Sequence, residues 1–213
     1  GTVMLVTGVA QLLMAPVAVA LEQRGSARVL TAMGFAAFAV GLGLSGFQTP
    51  RTDFDGMFWP QVLRGLAVMF CLLPPTRLAL GHLAAGGVPD ASGLFNLMRN
   101  LGGAIGLALI DTVIYSRAPV HATALLARLQ AGDADTAAFL GIPAGMMAAM
   151  PSGPLDPATS GLLAPLLQKA SLTVAINDAW LMIAVLTAAA LICVPFARRR
   201  PVAGALSPDK ASG

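Results

Sequence analysis

Five long apolar runs set the strongest limit on how this chain can fold. Each run holds about 20 mostly apolar residues, the length of helix that crosses roughly 30 Å of hydrocarbon. In lipid, every backbone polar group must be hydrogen-bonded inside the protein, and an α-helix meets this need within a single span. We therefore predict an all-α, polytopic membrane helix bundle with about five transmembrane helices. The predicted spans cover residues 1–21, 29–47, 58–83, 91–115 and 176–195.

The composition agrees with a membrane environment. Of the 213 residues, 56% are hydrophobic and only 11% are charged, and the mean hydropathy is +0.77. A soluble domain has about 25% charged residues, so too little polar surface is present here to cover a water-soluble fold. The net charge of +3 does not indicate nucleic-acid binding, because the basic residues are scattered. The dense run Arg198-Arg199-Arg200 follows the last apolar run and is typical of a membrane stop.

The spans divide the chain into four sections. Residues 1–115 hold four transmembrane helices, and 116–175 form an extracytoplasmic loop with short amphipathic helices near 120–129 and 159–172. The last transmembrane helix covers 176–196, and a basic cytoplasmic tail covers 197–213. The Lys and Arg residues in the short flanks place the C-terminus in the cytoplasm. Because the chain begins at Gly1 and enters an apolar run at once, we expect it to be part of a longer protein.

Local features refine these spans. Pro74-Pro75 in the third span remove two backbone donors, so we expect a kink or an unwound turn beside a cavity. Asp90 or Ser92 is the predicted N-cap of the fourth span. Glycines in the second and fourth spans should let neighbouring helices approach closely. They are Gly34, Gly41, Gly43, Gly46, Gly102, Gly103 and Gly106.

Several short motifs occur together in the third and fourth spans. They are Phe58-Trp59-Pro60-Gln61, Gly65, Leu73-Pro74-Pro75-Thr76, and the stretch ASGLFNLMRNLGGAIG over 91–106. In this combination they resemble the C-terminal half of the EmrB/QacA-type drug:proton antiporters, the fourteen-helix branch of the major facilitator superfamily. The resemblance covers nearly the whole chain, including the long loop and the basic tail.

This resemblance implies a partial major facilitator fold, in which the five spans are the last five of fourteen. The third span would line the substrate path, and the first and fourth would pack toward a missing N-terminal half. The implied protein is a multi-pass transporter of the bacterial inner membrane that exports hydrophobic or amphipathic drugs by proton antiport, without a cofactor. Its partners would be small-molecule substrates, protons, the lipid bilayer and the missing half; whether a periplasmic adaptor protein also binds is left open.

Two charged residues lie inside apolar spans. Arg64 and Asp111 each cost roughly 2.5 to 3.5 kcal/mol to insert without a partner, so each should face protein or water. Their similar depth in antiparallel spans predicts a buried ion pair. The alternative is that Arg64 faces an aqueous cavity while Asp111 bonds a neighbouring helix. Both are candidate residues of the substrate path.

Polar residues supply the remaining candidates. Gln61, Thr76, Asn96 and Asn100 could hydrogen-bond a substrate, or join helices at about 0.6 kcal/mol each. Glu22, Arg24 and Arg28 resemble the gating loop of the antiporter family, although a plain positive-inside loop explains them equally well.

Other function classes remain in competition with transport. A membrane channel or passive scaffold is one, and an intramembrane hydrolase built on His82, Ser92 and Asp90 is another. We expect no catalytic residue and therefore no enzyme. Cys71 and Cys193 lie in apolar runs without His or carboxylates at ligand spacing, so we predict neither a disulfide nor a metal site.

Overall fold

The computed structural model describes residues 2–81, 83, 85–143, 145–146, 153 and 156–196, and the regular elements in these ranges are helices. Five of the helices are long and apolar enough to cross a membrane, which confirms the predicted class and number of spans. The helices are α1 Thr2–Arg24, α2 Ala27–Ser45, α3 Phe54–Leu80, α4 Val88–Gln130, α5 Ala134–Leu140 and α6 Pro157–Cys193.

Glycines allow three helices to pack at short range. α3 lies against both α1 and α2, and α2 also packs against α6. A methyl group added at Gly34 would come within 2.6 Å of Phe70 Cβ, and one at Gly46 within 2.6 Å of Leu181 Cγ. At Gly34 the Phe70 backbone lies almost as close, so any side chain would push α2 and α3 apart, whereas at Gly46 the Leu181 side chain would have to shift. The predicted role is confirmed for these glycines and for Gly41, but a methyl group at Gly43 would meet no atom within 4 Å.

The fourth and last spans belong to helices much longer than predicted. α4 has 43 residues and α6 has 37, or roughly 65 and 55 Å at 1.5 Å per residue. Neither length fits within a hydrocarbon core of about 30 Å, so both helices project from it. The prediction of separate short helices near 120–129 and 159–172 is wrong, since these residues continue α4 and α6. Polar residues after an apolar run mark the end of the apolar surface, not of the helix.

The projecting parts form a small packed unit, here called the head: α4 from residue 116 onward, α5 and its loop to 143, and α6 from 157 to 175. Its core consists of Leu129, Ala137, Leu140, Ile142, Leu163 and Ala170, contributed by all three helices. Gly141 ends α5 with φ 85°, a left-handed conformation that favours glycine. The head therefore has an apolar core of its own outside the spans.

Two local predictions need correction. α3 is an uninterrupted helix through Pro74-Pro75, so the alternative of an unwound turn is wrong. Pro74 is fully buried, and packing against neighbouring helices holds the chain helical where intrinsic propensity would break it. α4 begins at Val88 with Gly87 as N-cap, ahead of the predicted Asp90 or Ser92. Pro89 in the first turn explains the earlier start, because proline lacks only a donor that would be unpaired there anyway.

The N-terminus of α6 should weaken in acid. Asp156 accepts a hydrogen bond from the Thr159 amide, and the contact with Thr159 lowers the pKa of the Asp156 carboxyl. Its stabilising effect is therefore present above the carboxyl's unfolded pKa and is lost as pH falls through the lowered, folded pKa. We expect Asp156→Ala to accelerate amide exchange in the first turn of α6 at neutral pH. Equal exchange in Asp156→Ala and the parent would contradict this; Lys169→Ala, in the helix interior, is the control.

Candidate functional site

The buried polar residues of α3 lie one turn apart, at Gln61 and Arg64. Gln61 faces α1, where the Thr7 hydroxyl donates a hydrogen bond to its side-chain oxygen. One turn along, a methyl group at Gly65 would lie 2.5 Å from the Thr7 carbonyl oxygen. Gln61 therefore joins two closely crossing helices, which is the structural alternative stated above for this residue.

Arg64 is enclosed by α2 and α6. Only 7% of its surface is exposed, and its aliphatic chain lies where any side chain at Gly41 would be. Its guanidinium carbon stands 4.4 Å from the centre of the Trp180 ring, a distance at which the ring attracts a cation. Arg64 Nε has no hydrogen-bond partner among the described residues. The charge is thus held by an aromatic ring, and no carboxylate of the described residues forms an ion pair with it.

The predicted ion pair between Arg64 and Asp111 is wrong. Among the described residues, the ion pairs within 4.0 Å do not include these two side chains. α4 packs mainly against α6, while α3 packs against α1 and α2, so the short connection between α3 and α4 does not make them neighbours at this depth. Arg64 is buried against Trp180, and Asp111 is exposed on α4.

The other candidates on α3 and α4 are not brought together. The Thr76 hydroxyl donates to the Leu72 carbonyl within its own helix. Asn96 and Asn100 are exposed on α4, as is Asp111. At 100° per residue these three α4 residues fall within about 60° of one another around the helix axis, so they form a polar stripe along it.

The last turn of α1 meets the end of α3. The Arg77 guanidinium donates to the Glu22 backbone carbonyl in the last turn of α1, where a cation is favourable. Among the described ion pairs none involves Arg24 or Arg28. Next to this contact an open apolar groove of about 540 Å³ runs between α1 and α3. Its lining includes Pro16, Val19, Met69 and Leu73.

Sequence reasoning missed one turn of α6 that contacts three other parts of the chain. The Asn177 side chain donates to the Gln48 carbonyl at 2.6 Å, Asp178 contacts His121 of α4, and Trp180 covers Arg64. A usable signal was present, because Asn177 and Asp178 interrupt the apolar run at the start of the predicted last span. Polar and ionisable residues at such positions are functional candidates by default.

Comparisons with known proteins identify relatives over part of the chain. It is 39% identical over 123 residues to the colistin resistance protein EmrB of Acinetobacter baumannii, covering 58% of this chain and 24% of that protein. Against the multidrug export protein EmrB of Haemophilus influenzae the identity is 30% over 119 residues, covering 55% and 23%. The fatty acid resistance protein FarB of Neisseria gonorrhoeae is 33% identical over 79 residues, covering 34% and 16%.

No family model and no solved structure matches the chain. The relatives carry names of export and resistance proteins, and these names agree with the expectation of a transporter. The matches fall on about a quarter of the length of the first two relatives. Over the matched residues, this chain is similar to colistin resistance and multidrug export proteins that carry the name EmrB.

Proposed function

We propose that this chain is the C-terminal part of a secondary transporter that exports hydrophobic or amphipathic toxic compounds from a bacterial cell in exchange for protons. The homology to multidrug export proteins supports the reaction class. The observation that carries the proposal is the bare surface of α4. From Val88 to Arg128 this helix buries no residue, although it has the length and hydropathy of a span.

The bare surface of α4 has two chemically different sides. The polar stripe of Asn96, Asn100 and Asp111 lies on one side. Leu97, Leu101 and Ile105 are exposed between about 100° and 180° around the axis from Asn96. Polar and charged groups on a membrane helix are favoured toward a water-filled path, and apolar groups toward lipid or another helix. Such a surface suits a helix between a second helix bundle and an aqueous substrate path.

Small residues support close packing of that second bundle. Methyl groups added at Gly102, Gly103 and Gly106 would meet no described atom within 4 Å, so this face has no occupant within the described chain. A G-x-x-x-G spacing lets the backbones of membrane helices approach. We propose that the N-terminal half of the transporter packs here, and that Glu22, Arg24 and Arg28 gate its cytoplasmic side, with Arg77 tethering α1 to α3.

The complete protein should confer resistance when expressed in bacteria that lack their own multidrug exporters. In inverted vesicles, adding a compound that it exports should release protons, measured as recovery of a quenched pH-sensitive dye. Asn100→Leu and Asp111→Leu, which remove polar groups from the stripe, should reduce both readouts, while Leu109→Ala should not. Wild-type protein that inserts in the membrane without resistance or proton release would refute the proposed function.

The head should lie outside the cytoplasm. In intact cells, a cysteine at Ala131, an exposed residue of the head, is expected to react with a membrane-impermeant maleimide. A cysteine at Lys210 in the basic tail should react only after the cells are opened, because positive flanks are retained in the cytoplasm. The reverse labelling pattern would invert the proposed orientation.

A further inference from the structure

An acid–base contact joins α4 and α6 where the head meets the spans. His121 Nε2 lies 2.7 Å from Asp178 Oδ2, and Arg117 Nε lies 3.9 Å from the same oxygen. The carboxylate can only accept, so Nε2 carries the hydrogen and Nδ1 is the nitrogen able to bind a proton. The His121 and Asp178 side chains are half-buried, at 23% and 30% exposure, whereas Arg117 is 59% exposed.

A cavity in the head borders this contact. A cavity of about 520 Å³ opens between α4, α5 and α6, and His121 forms part of its wall beside Leu125 and Val174. The charged groups on the same wall are Arg128 of α4, together with Asp133 and Asp135 at the start of α5. The imidazole thus stands between an aqueous cavity and the Asp178 carboxylate.

We infer that His121, held by Asp178, is a proton-binding site of the transporter, loaded through the cavity of the head. This inference rests on the proposed proton antiport. A proton from the cavity adds to Nδ1 and gives an imidazolium, while Nε2–H stays bonded to Asp178; no other bond forms or breaks. The uptake of one positive charge turns a neutral donor into a charged one, so that a Coulomb attraction between the imidazolium and the Asp178 carboxylate adds to the existing hydrogen bond.

Some of the charged groups around His121 favour its protonated form, and others oppose it. Asp178, Asp133 and Asp135 favour the imidazolium, and Arg117 and Arg128 oppose it. Asp178 is in direct contact, whereas Arg117 stands 3.9 Å from Asp178 and is largely in solvent, where its charge is screened. Protonation therefore tightens the contact between α4 and α6.

The site is connected to the buried residues of α3. Asp178 follows Asn177, which holds the backbone at Gln48 in the loop between α2 and α3. Two residues further on, Trp180 covers Arg64. All three contacts belong to a single turn of α6, so a displacement of this turn on protonation changes the packing of α2, α3 and α4 together.

The first arm of the test does not depend on transport. In the complete protein, with Cys71, Cys193 and every cysteine outside this chain replaced by serine, spin labels at Ala127 of α4 and Gln168 of α6 report the distance between the two helices. Lowering the pH from about 8 to about 5.5, a range in which histidine changes its charge, should narrow the distance distribution. His121→Gln, which keeps a neutral donor, should abolish this response, as should Asp178→Asn. Thr123→Ala on α4 and His82→Gln, which removes the chain's other histidine, should retain it.

The second arm measures transport in proteoliposomes at fixed internal pH. External acidification from about pH 8 to about 6 should raise export by the wild type at least about threefold, since imidazoles gain a proton in this range. His121→Gln should flatten that dependence. A His121→Gln protein with the wild-type pH response in either arm overturns the inference. A wild type that shows the distance response but no export under any gradient overturns the proposed function and the coupling, and retains the proton site.

Discussion

Gly65→Ala is expected to destabilise the complete protein by about 1–3 kcal/mol, the usual cost of forcing extra volume into a packed core. The added methyl group would lie 2.5 Å from the Thr7 carbonyl oxygen and 2.8 Å from Ala10 Cβ. Both positions belong to α1, and a backbone oxygen cannot turn aside as a flexible side chain can. α1 must therefore move away from α3, which also breaks the hydrogen bond between Thr7 and Gln61. Unfolding in mixed detergent, followed by tryptophan fluorescence, measures the loss.

The matched control is Gly43→Ala on α2, where the new methyl group meets no atom within 4 Å. In a helix interior, alanine without a clash is favoured over glycine by roughly 0.5–1 kcal/mol, so this variant should be neutral or slightly more stable. Equal stability of Gly65→Ala and Gly43→Ala would show that α1 and α3 do not cross as closely as described.

Trp180→Leu is expected to lower the free energy of unfolding more when Arg64 is present than when it has been replaced. Loss of the ring removes apolar packing and also leaves a buried cation without its attraction, which is worth about 2 kcal/mol when desolvated. In an Arg64→Met background only the packing is lost. A double-mutant cycle on the complete protein should therefore give a coupling free energy of about 1–2 kcal/mol. Arg64→Met alone should be neutral or stabilising, because it is costly to bury a cation that pairs with no carboxylate among the described residues.

Trp59 provides the control for this cycle. It is the chain's other tryptophan, is 71% exposed and lies on the same helix as Arg64. The changes in unfolding free energy caused by Trp59→Leu and by Arg64→Met should add to within about 0.5 kcal/mol, as expected for independent sites. If the Trp180 cycle is equally additive, the aromatic ring does not hold the charge, and the basis for linking α6 to α3 is lost.

The fold class and number of spans could be predicted because the bilayer imposes both the length and the composition of a spanning helix. Helix bounds in the head could not. Ser116 and Arg117 end the apolar surface of α4, and hydropathy reports that boundary alone. The helix continues because its far half packs against α5 and α6 in the head. The continuous helix through Pro74-Pro75 has a similar cause, since burial among neighbours is a property of the assembled bundle.

The sequence indicated which residue types were candidates, but it did not indicate which side chains they contact. An intramembrane arginine stands out in any sequence, and Arg64 is indeed buried. Its neighbour follows from the angles at which α2, α3 and α6 cross, and no spacing along one helix reveals those angles. Depth alone suggested Asp111, which lies on a different helix pair. Trp180 is 116 residues away in the chain, within an apolar run where an aromatic residue attracts no attention.

Because α4 is long, a small tilt of the helix displaces its far end by a large distance. Its span and its part of the head form one continuous helix of roughly 65 Å, and the apolar core of the head fixes the far end to α5 and α6. A tilt of about 10° around its N-terminal end at Val88 would carry the far end through about 11 Å. A rocking movement that is small within the bilayer would therefore be large at the head. The displacement there would exceed the diameter of a helix backbone.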